Sequence, residues 1–140
     1  MSDIGMLAIG FVRSLEKKHI YYKHRKLRGV YDQIIVTFTG NQIPEITINF
    51  IFDENNSEVQ IRVIDIIPSI NEKRMGYALT TVNDLNTVNA FGKFCITGGN
   101  NLEFRIDAMI DQECSSAFCF ELMRKALKIC DESYLRLAEL

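Results

Sequence analysis

Hydrophobic positions recur along this chain with two periods, and the changes of period divide it into elements. Ile4, Leu7, Ala8, Phe11, Leu15 and Tyr22 share one face at 3.6-residue spacing, which predicts a helix over residues 4–25 that ends by Gly29. Gly5 and Gly10 weaken that helix by about 1 kcal/mol each relative to Ala. The period then drops to two. Residues 30–39 set Ile34, Val36 and Phe38 against Gln33, Thr37 and Thr39. Residues 45–53 set Ile46, Ile48, Phe50 and Phe52 against Thr47, Asn49 and Asp53, with Ile51 the exception on the polar side. Residues 58–67 set Val59, Ile61 and Val63 against Gln60 and Arg62. The alternation fails over Ile64-Asp65-Ile66-Ile67, as a bulge or burial on both faces would make it fail. Short polar turns at Gly40-Asn41-Gln42 and Asp53-Glu54-Asn55-Asn56-Ser57 favour an antiparallel meander.

Pro68 stops the third strand. Ser69 and Glu72 have the spacing of a capping box and predict a helix running to about Val88. Its apolar face is Met75, Ala78, Leu79, Val82 and Leu85. Residues 91–97 and 101–108 form a second hairpin around Gly98-Gly99-Asn100, with Leu102, Phe104, Ile106 and Ala108 inward and Glu103, Arg105 and Asp107 outward. A last helix spans Ser116 to Leu137. Its apolar arc (Phe118, Cys119, Leu122, Met123, Ala126, Leu127, Ile129, Cys130 and Tyr134) covers roughly 200° at 100° per residue. A helix lying on one sheet needs a stripe only about 100° wide or a little more, so this one must also touch the first helix or a second subunit. The order α-β-β-β-α-β-β-α predicts an α+β fold: a five-stranded antiparallel sheet with helices mainly on one face. One domain over 1–140 is expected, with 1–28 as a basic helix packed on it.

A chain of 140 residues with 47% apolar and 24% charged content suits one core without staples. No run reaches the roughly 18 apolar residues of a membrane span, and the N-terminus lacks the pattern of a secretory leader. Cys95, Cys114, Cys119 and Cys130 form no C-x-x-C pair and read as scattered buried thiols in a reducing compartment. A cytoplasmic protein is expected. The net charge of −2 is unevenly spread: residues 1–28 hold seven Lys/Arg against Asp3 and Glu16.

Candidate chemistry is sparse. Asp53-Glu54 and Asp131-Glu132 are sequence neighbours that point apart, which makes no acid/base pair. His19 and His24 are five apart, whereas two ligands on one helical face need a spacing of three or four. Cys95 has no base nearby in sequence, and Gly98-Gly99 lacks the pattern of a phosphate loop. No catalytic, cofactor or metal residue is assigned, and the chain is read as no enzyme. The basic run 17–28 packs six Lys/Arg, two His and two Tyr into twelve residues. Its plainer reading is a solvated helix end whose cations suit the helix dipole. Its sharper reading makes Lys17, Lys18, Tyr21, Lys23 and Arg25 contacts to a partner. Ile35 and Ile51 on the outer sheet face, and Met123 and Leu127 on the last helix, are the other partner-binding candidates. Asn86 falls within an apolar arc, so its amide must find partners; an architectural role is expected, bonding backbone near Asn89 to Gly92.

A strand followed by P-S-I-N-E-K-R, a helix ending V-N-D-L-N at Asn83 to Asn86, then F-G-K-F-C-I, a short hairpin and L-E-F-R-I resembles the YbjN family of bacterial proteins over roughly residues 30–137. That family is similar in fold to the small α+β chaperones of type III secretion. The resemblance implies a compact, non-enzymatic domain of sensory or regulatory type, and a dimer that holds another polypeptide. The expectation is a homodimeric, chaperone-like or regulatory adaptor with an unknown protein or peptide partner. Nucleic-acid or anionic-surface binding through 17–28 is the alternative, disfavoured because the rest of the chain is acidic.

Overall fold

The computed structural model describes residues 3–113 and 115–140, so Cys114 lies outside the described residues. Its elements are α1 (Met6–Lys17), β1 (Lys23–Leu27), β2 (Tyr31–Phe38), β3 (Ile46–Asp53), β4 (Glu58–Ile67), a 3-10 turn (Glu72–Arg74), α2 (Met75–Val88), β5 (Lys93–Ile96), β6 (Leu102–Met109) and α3 (Ser115–Leu137). The α+β class holds, but the sheet has six strands, in the order β1-β2-β3-β4-β6-β5 with every pair antiparallel. No helix among the described residues is long and apolar enough to cross a membrane.

The extra strand corrects the expected helix over 4–25 and the basic helix over 1–28. α1 stops at Lys17 because the backbone closes on itself there. Ile20 N donates to Leu15 O at 2.9 Å and His19 N to Glu16 O at 3.1 Å, with His19 left-handed at φ 57°. That is the Schellman closure, made without glycine. Gly29 ends no helix. Arg28 (φ 52°) and Gly29 (φ 69°) are the central pair of a type I′ turn closed by Val30 N to Leu27 O at 3.0 Å, and this turn folds β1 onto β2.

Period-two reasoning identified the inner face of the other strands. Ile34, Val36, Ile46, Ile48, Phe50, Phe52, Val59, Ile61, Val63, Leu102, Phe104 and Ile106 are buried. The register shifts between Val63 and Ile67, with Asp65 left-handed at φ 56°, so the broken alternation there is a bulge. α1 and α3 lie against each other over this face. Phe11 of α1 sits 4.5 Å from Phe50 and 5.4 Å from Phe120 of α3, centroid to centroid. Part of the wide apolar arc of α3 is therefore taken up by α1, while Phe118 within that arc is exposed. Met123 is buried within this chain, which removes it as a partner contact, and Leu127 is half-buried.

The expected Ser69–Glu72 capping box does not form. Ser69 is left-handed (φ 54°), its N–H donates to Asn101 Oδ1 at 2.8 Å, and Glu72 is exposed. The cap is Asn71, whose Oδ1 accepts from Lys73 N at 2.9 Å. α2 is also rotated from expectation: Thr81 is buried, and Leu79 is exposed.

At the far end of α2, the Asn86 amide makes one donor and one acceptor bond to a single residue. Its Nδ2 donates to Phe94 O at 3.0 Å, and its Oδ1 accepts from Phe94 N at 2.8 Å. The bond falls two residues beyond the expected Asn89–Gly92 turn. Lys93 Nζ closes the same corner by donating to Asn86 O and Asn89 O at 3.1 Å each, a cation at the negative helix end. Gly92 makes the corner fit: at φ 74°, a Cβ would lie 2.4 Å from Phe104 Cζ and 2.8 Å from Arg105 O. Asn86→Ala is expected to lower stability by about 1–3 kcal/mol in urea unfolding, because both Phe94 groups lose their partner. Asn86→Asp, which keeps only the acceptor, should recover part of the loss. An unchanged unfolding midpoint for Asn86→Ala would remove the residue as the corner's fastening.

Candidate functional site

Strand parity sends every second side chain to the face that no helix covers. One row across it is given by the register: Lys23 opposite Ile35, Ile35 opposite Asn49, Asn49 opposite Arg62, Arg62 opposite Arg105, and Arg105 opposite Lys93. Like charges directly opposite one another destabilise a sheet. Here each arginine has its own carboxylate. Arg62 Nη1 bonds Asp107 Oδ1 at 2.6 Å, and Arg105 pairs with Glu103. From Asn49 a hydrogen-bonded chain crosses to the neighbouring row on β2 and β1: Gln33 Nε2 donates to Asn49 Oδ1 and Arg25 Nε to Gln33 Oε1, both at 2.7 Å.

This face is therefore drier than its polar composition predicts. Gln33, Asn49 and Glu103, expected to be solvated, are 6%, 8% and 8% exposed. Their neighbours on the same face cover them, and the amides and the acid are hydrogen-bonded within the layer, as burial of polar groups requires. Ile35 and Ile51 are half-buried in it. Ile51 joins Leu27, Tyr31, Arg28, Asp53 and Gln60 around a hollow of about 420 Å³. A larger groove of about 850 Å³ lies between α3 and the β2–β3 loop, where Leu127 meets Phe38, Arg124 and Lys128. The same loop presents three N–H groups, of Asn41, Gln42 and Ile43, to the Asp131 carboxylate at 3.1, 2.7 and 2.9 Å. Those N–H groups hold Asp131 below the usual carboxylate range.

The basic run is divided among three surfaces. Lys17 and Lys18 end α1, with Lys18 Nζ 5.2 Å from the Phe120 ring centre. Tyr21 is 77% exposed. Lys23 and Arg25 lie on the uncovered face of β1, while His24 and Lys26 lie on its helix side. The two histidines thus share no helix: His19 caps one, and His24 is in a strand.

The site that the sequence reading missed is Asp32, which is fully buried. Its Oδ1 takes His24 Nε2 at 2.7 Å and Lys26 Nζ at 2.9 Å, and its Oδ2 takes the Gly5 N–H at 2.9 Å. Burial alone would raise this carboxyl, yet the bonds from Lys26, His24 and Gly5 together hold it below the usual range. Parity was the available signal, since Asp32 is in phase with Ile34 and Val36. Beside it, Glu54 Oε2 accepts from Leu7 N at 2.8 Å, so two carboxylates satisfy two of the free N–H groups that open α1.

Cys119 and Cys130 are buried, and burial raises both thiols, Cys119 to about 12, which leaves them unreactive. Cys95 is half-buried on β5. No group of three or more His, Cys, Asp or Glu among the described residues is placed to hold a metal ion. No family model matches the chain, and no curated protein or solved structure matches it.

Asp32→Asn is expected to lower stability at pH 7 by about 1–3 kcal/mol, since His24 and Lys26 lose their common acceptor. A depressed folded pKa gives stability that is present above the ordinary carboxylate pKa of about 4 and is lost as pH falls through the folded value. The gap between parent and variant should thus be widest at neutral pH and close in acid. Unfolding midpoints measured from pH 7 to pH 2 check this; a gap constant with pH would assign the loss to shape rather than charge.

Proposed function

We propose that this chain is a non-enzymatic protein-binding module, a chaperone-like or regulatory adaptor acting as a homodimer. The observation that carries the reading is the uncovered sheet face. It combines half-buried Ile35 and Ile51, a hollow walled by Leu27 and Tyr31 together with Arg28, Asp53 and Gln60, and a hydrogen-bonded polar layer already in place around them. A pre-ordered surface of that kind loses little side-chain entropy when a partner lands on it. The likeness of residues 30–137 to the YbjN family supports the same reading, and with it a cytoplasmic, regulatory role. Homodimerisation draws on the exposed apolar groups of the helical layer, Leu79 and Val88 on α2 with Phe118 and Leu135 on α3. Nucleic-acid or anionic-surface binding through 17–28 is the second reading, favoured by Lys17, Lys18, Lys23, Arg25 and Arg28, which form no ion pair among the described residues.

Two measurements test the adaptor reading. Sedimentation equilibrium is expected to give a dimer that dissociates on dilution. Stoichiometric protein is expected to suppress aggregation of a chemically unfolded reporter, and Ile35→Thr with Ile51→Thr, which keep β-branched side chains in the strands, to weaken that suppression several-fold while the protein remains folded. A monomer at all concentrations that protects nothing would sink the reading.

A further inference from the structure

An open sheet has two edges, and in this protein they differ. At the β5 edge, Phe94 turns its N–H and C=O away from the sheet, and the Asn86 amide occupies both. The amide does there what a neighbouring strand would do. β5 is only four residues long, and Lys93 is tied back to the end of α2. At the other edge, β1 offers five residues, about 17 Å of strand at 3.3 Å per residue. Among the described residues, none outside β2 hydrogen-bonds the backbone of residues 23–26. Natural sheets blunt or cover their edges, so an edge left open beside a closed one is selective.

The charge on β1 restricts what can pair with it. Residues 17–28 contain six Lys/Arg and no acid. Lys26 is used internally on Asp32, which also holds His24, and these two bonds fix the strand's helix side. Lys23 and Arg25 remain on the uncovered face, with Lys17 and Lys18 before them and Arg28 after. A second copy pairing antiparallel on this edge would set Lys23 and Arg25 against their own counterparts, which is repulsive. A polyphosphate would use the cations but leave the strand's alternating N–H and C=O groups without partners. An extended peptide with acids at every second position uses both.

We infer that β1 is a docking edge for an extended acidic segment of another polypeptide, added as a seventh strand with its carboxylates over Lys23 and Arg25. The inference deepens the adaptor reading and rests on it. Main-chain bonds to β1 supply the geometry, and the cations supply the selectivity. Asn86 directs the partner to this edge by keeping the other one shut.

The test is fluorescence anisotropy on the full chain with a labelled nine-residue peptide of alternating Glu and Val. Its comparisons are the same peptide with Lys for Glu, two forms N-methylated on one or the other set of alternate residues, and a labelled twelve-nucleotide single strand. The Glu–Val peptide is expected to bind at least tenfold more tightly than the Lys form. One N-methylated form is expected to lose at least tenfold, and the other to bind like the parent peptide. Lys23→Glu with Arg25→Glu should weaken binding at least tenfold; the N-methylated pair decides the matter without any variant, should that variant fold poorly. No binding in low salt, equal binding by both N-methylated forms, or tighter binding of the oligonucleotide overturns the proposal. A dimer that protects the unfolded reporter yet ignores the peptide overturns this inference alone and leaves the adaptor reading standing.

Discussion

Asp32 has no exposed surface, and its carboxylate joins the start of α1, the edge strand β1 and its own strand β2. It holds the Gly5 N–H at the start of α1, and the His24 and Lys26 side chains of β1, from its own place on β2. A buried, ionised carboxylate is costly unless it is paired and hydrogen-bonded, and the pairing depends on geometry from all three elements at once. This makes the arrangement specific as well as stabilising. β1 cannot slip by one residue along β2 without turning His24 and Lys26 to the wrong face and stranding the charge. The edge strand, which has neighbours on one side only, thereby takes its register from a group in the core.

That register decides the character of the uncovered face. With His24 and Lys26 turned in, Lys23 and Arg25 must turn out, and Arg25 then reaches Gln33 to begin the chain of amides. Farther along, the bonds from Arg62 to Asp107 and from Arg105 to Glu103 allow two arginines to sit opposite each other. A face built of single exposed polar groups would be interchangeable with solvent. This one is a connected layer in which Gln33 and Asn49 are as buried as core residues, so changing one member leaves another without a partner.

Strands with one dry face were legible because their period is two and their apolar residues keep phase: β2, β3 and β4 were found to within about a residue at each end. The long α3 was legible for the same reason at a period of 3.6. β1 was not. K-H-R-K-L carries no apolar alternation, because its inward positions are His24 and Lys26, polar residues placed there by Asp32. The end of α1 was equally hidden, since the left-handed residue that closes it is His19 and not the glycine that usually marks such a stop. Gly29 is left-handed too, but it serves a hairpin turn. Ser69 and Glu72 match a capping box in spacing, yet the bonds from Ser69 N to Asn101 Oδ1 and from Ile70 N to Asn100 O bind the segment to the β5–β6 turn and leave the cap to Asn71. At β1 and at Ser69 a tertiary contact outweighed a local pattern of order 1 kcal/mol.

Asn86 shows the same competition settled the other way. A polar residue in an apolar arc predicts a hydrogen-bonding obligation from sequence alone, and the amide meets it on the backbone of Phe94. An amide has one donor side and one acceptor side at a spacing close to that of a peptide group, so it can stand where a strand would stand. Placed on the last strand of a sheet, it spends the exposed main-chain groups that make an edge adhesive. Among the described residues nothing comparable covers β1, where the surface offers charge in place of closure. The two ends of one sheet therefore differ: one is blunted by the Asn86 amide and by Lys93 tied back to α2, and the other is cationic and open. In a fold whose helices all lie on one face, that asymmetry gives an arriving chain a direction.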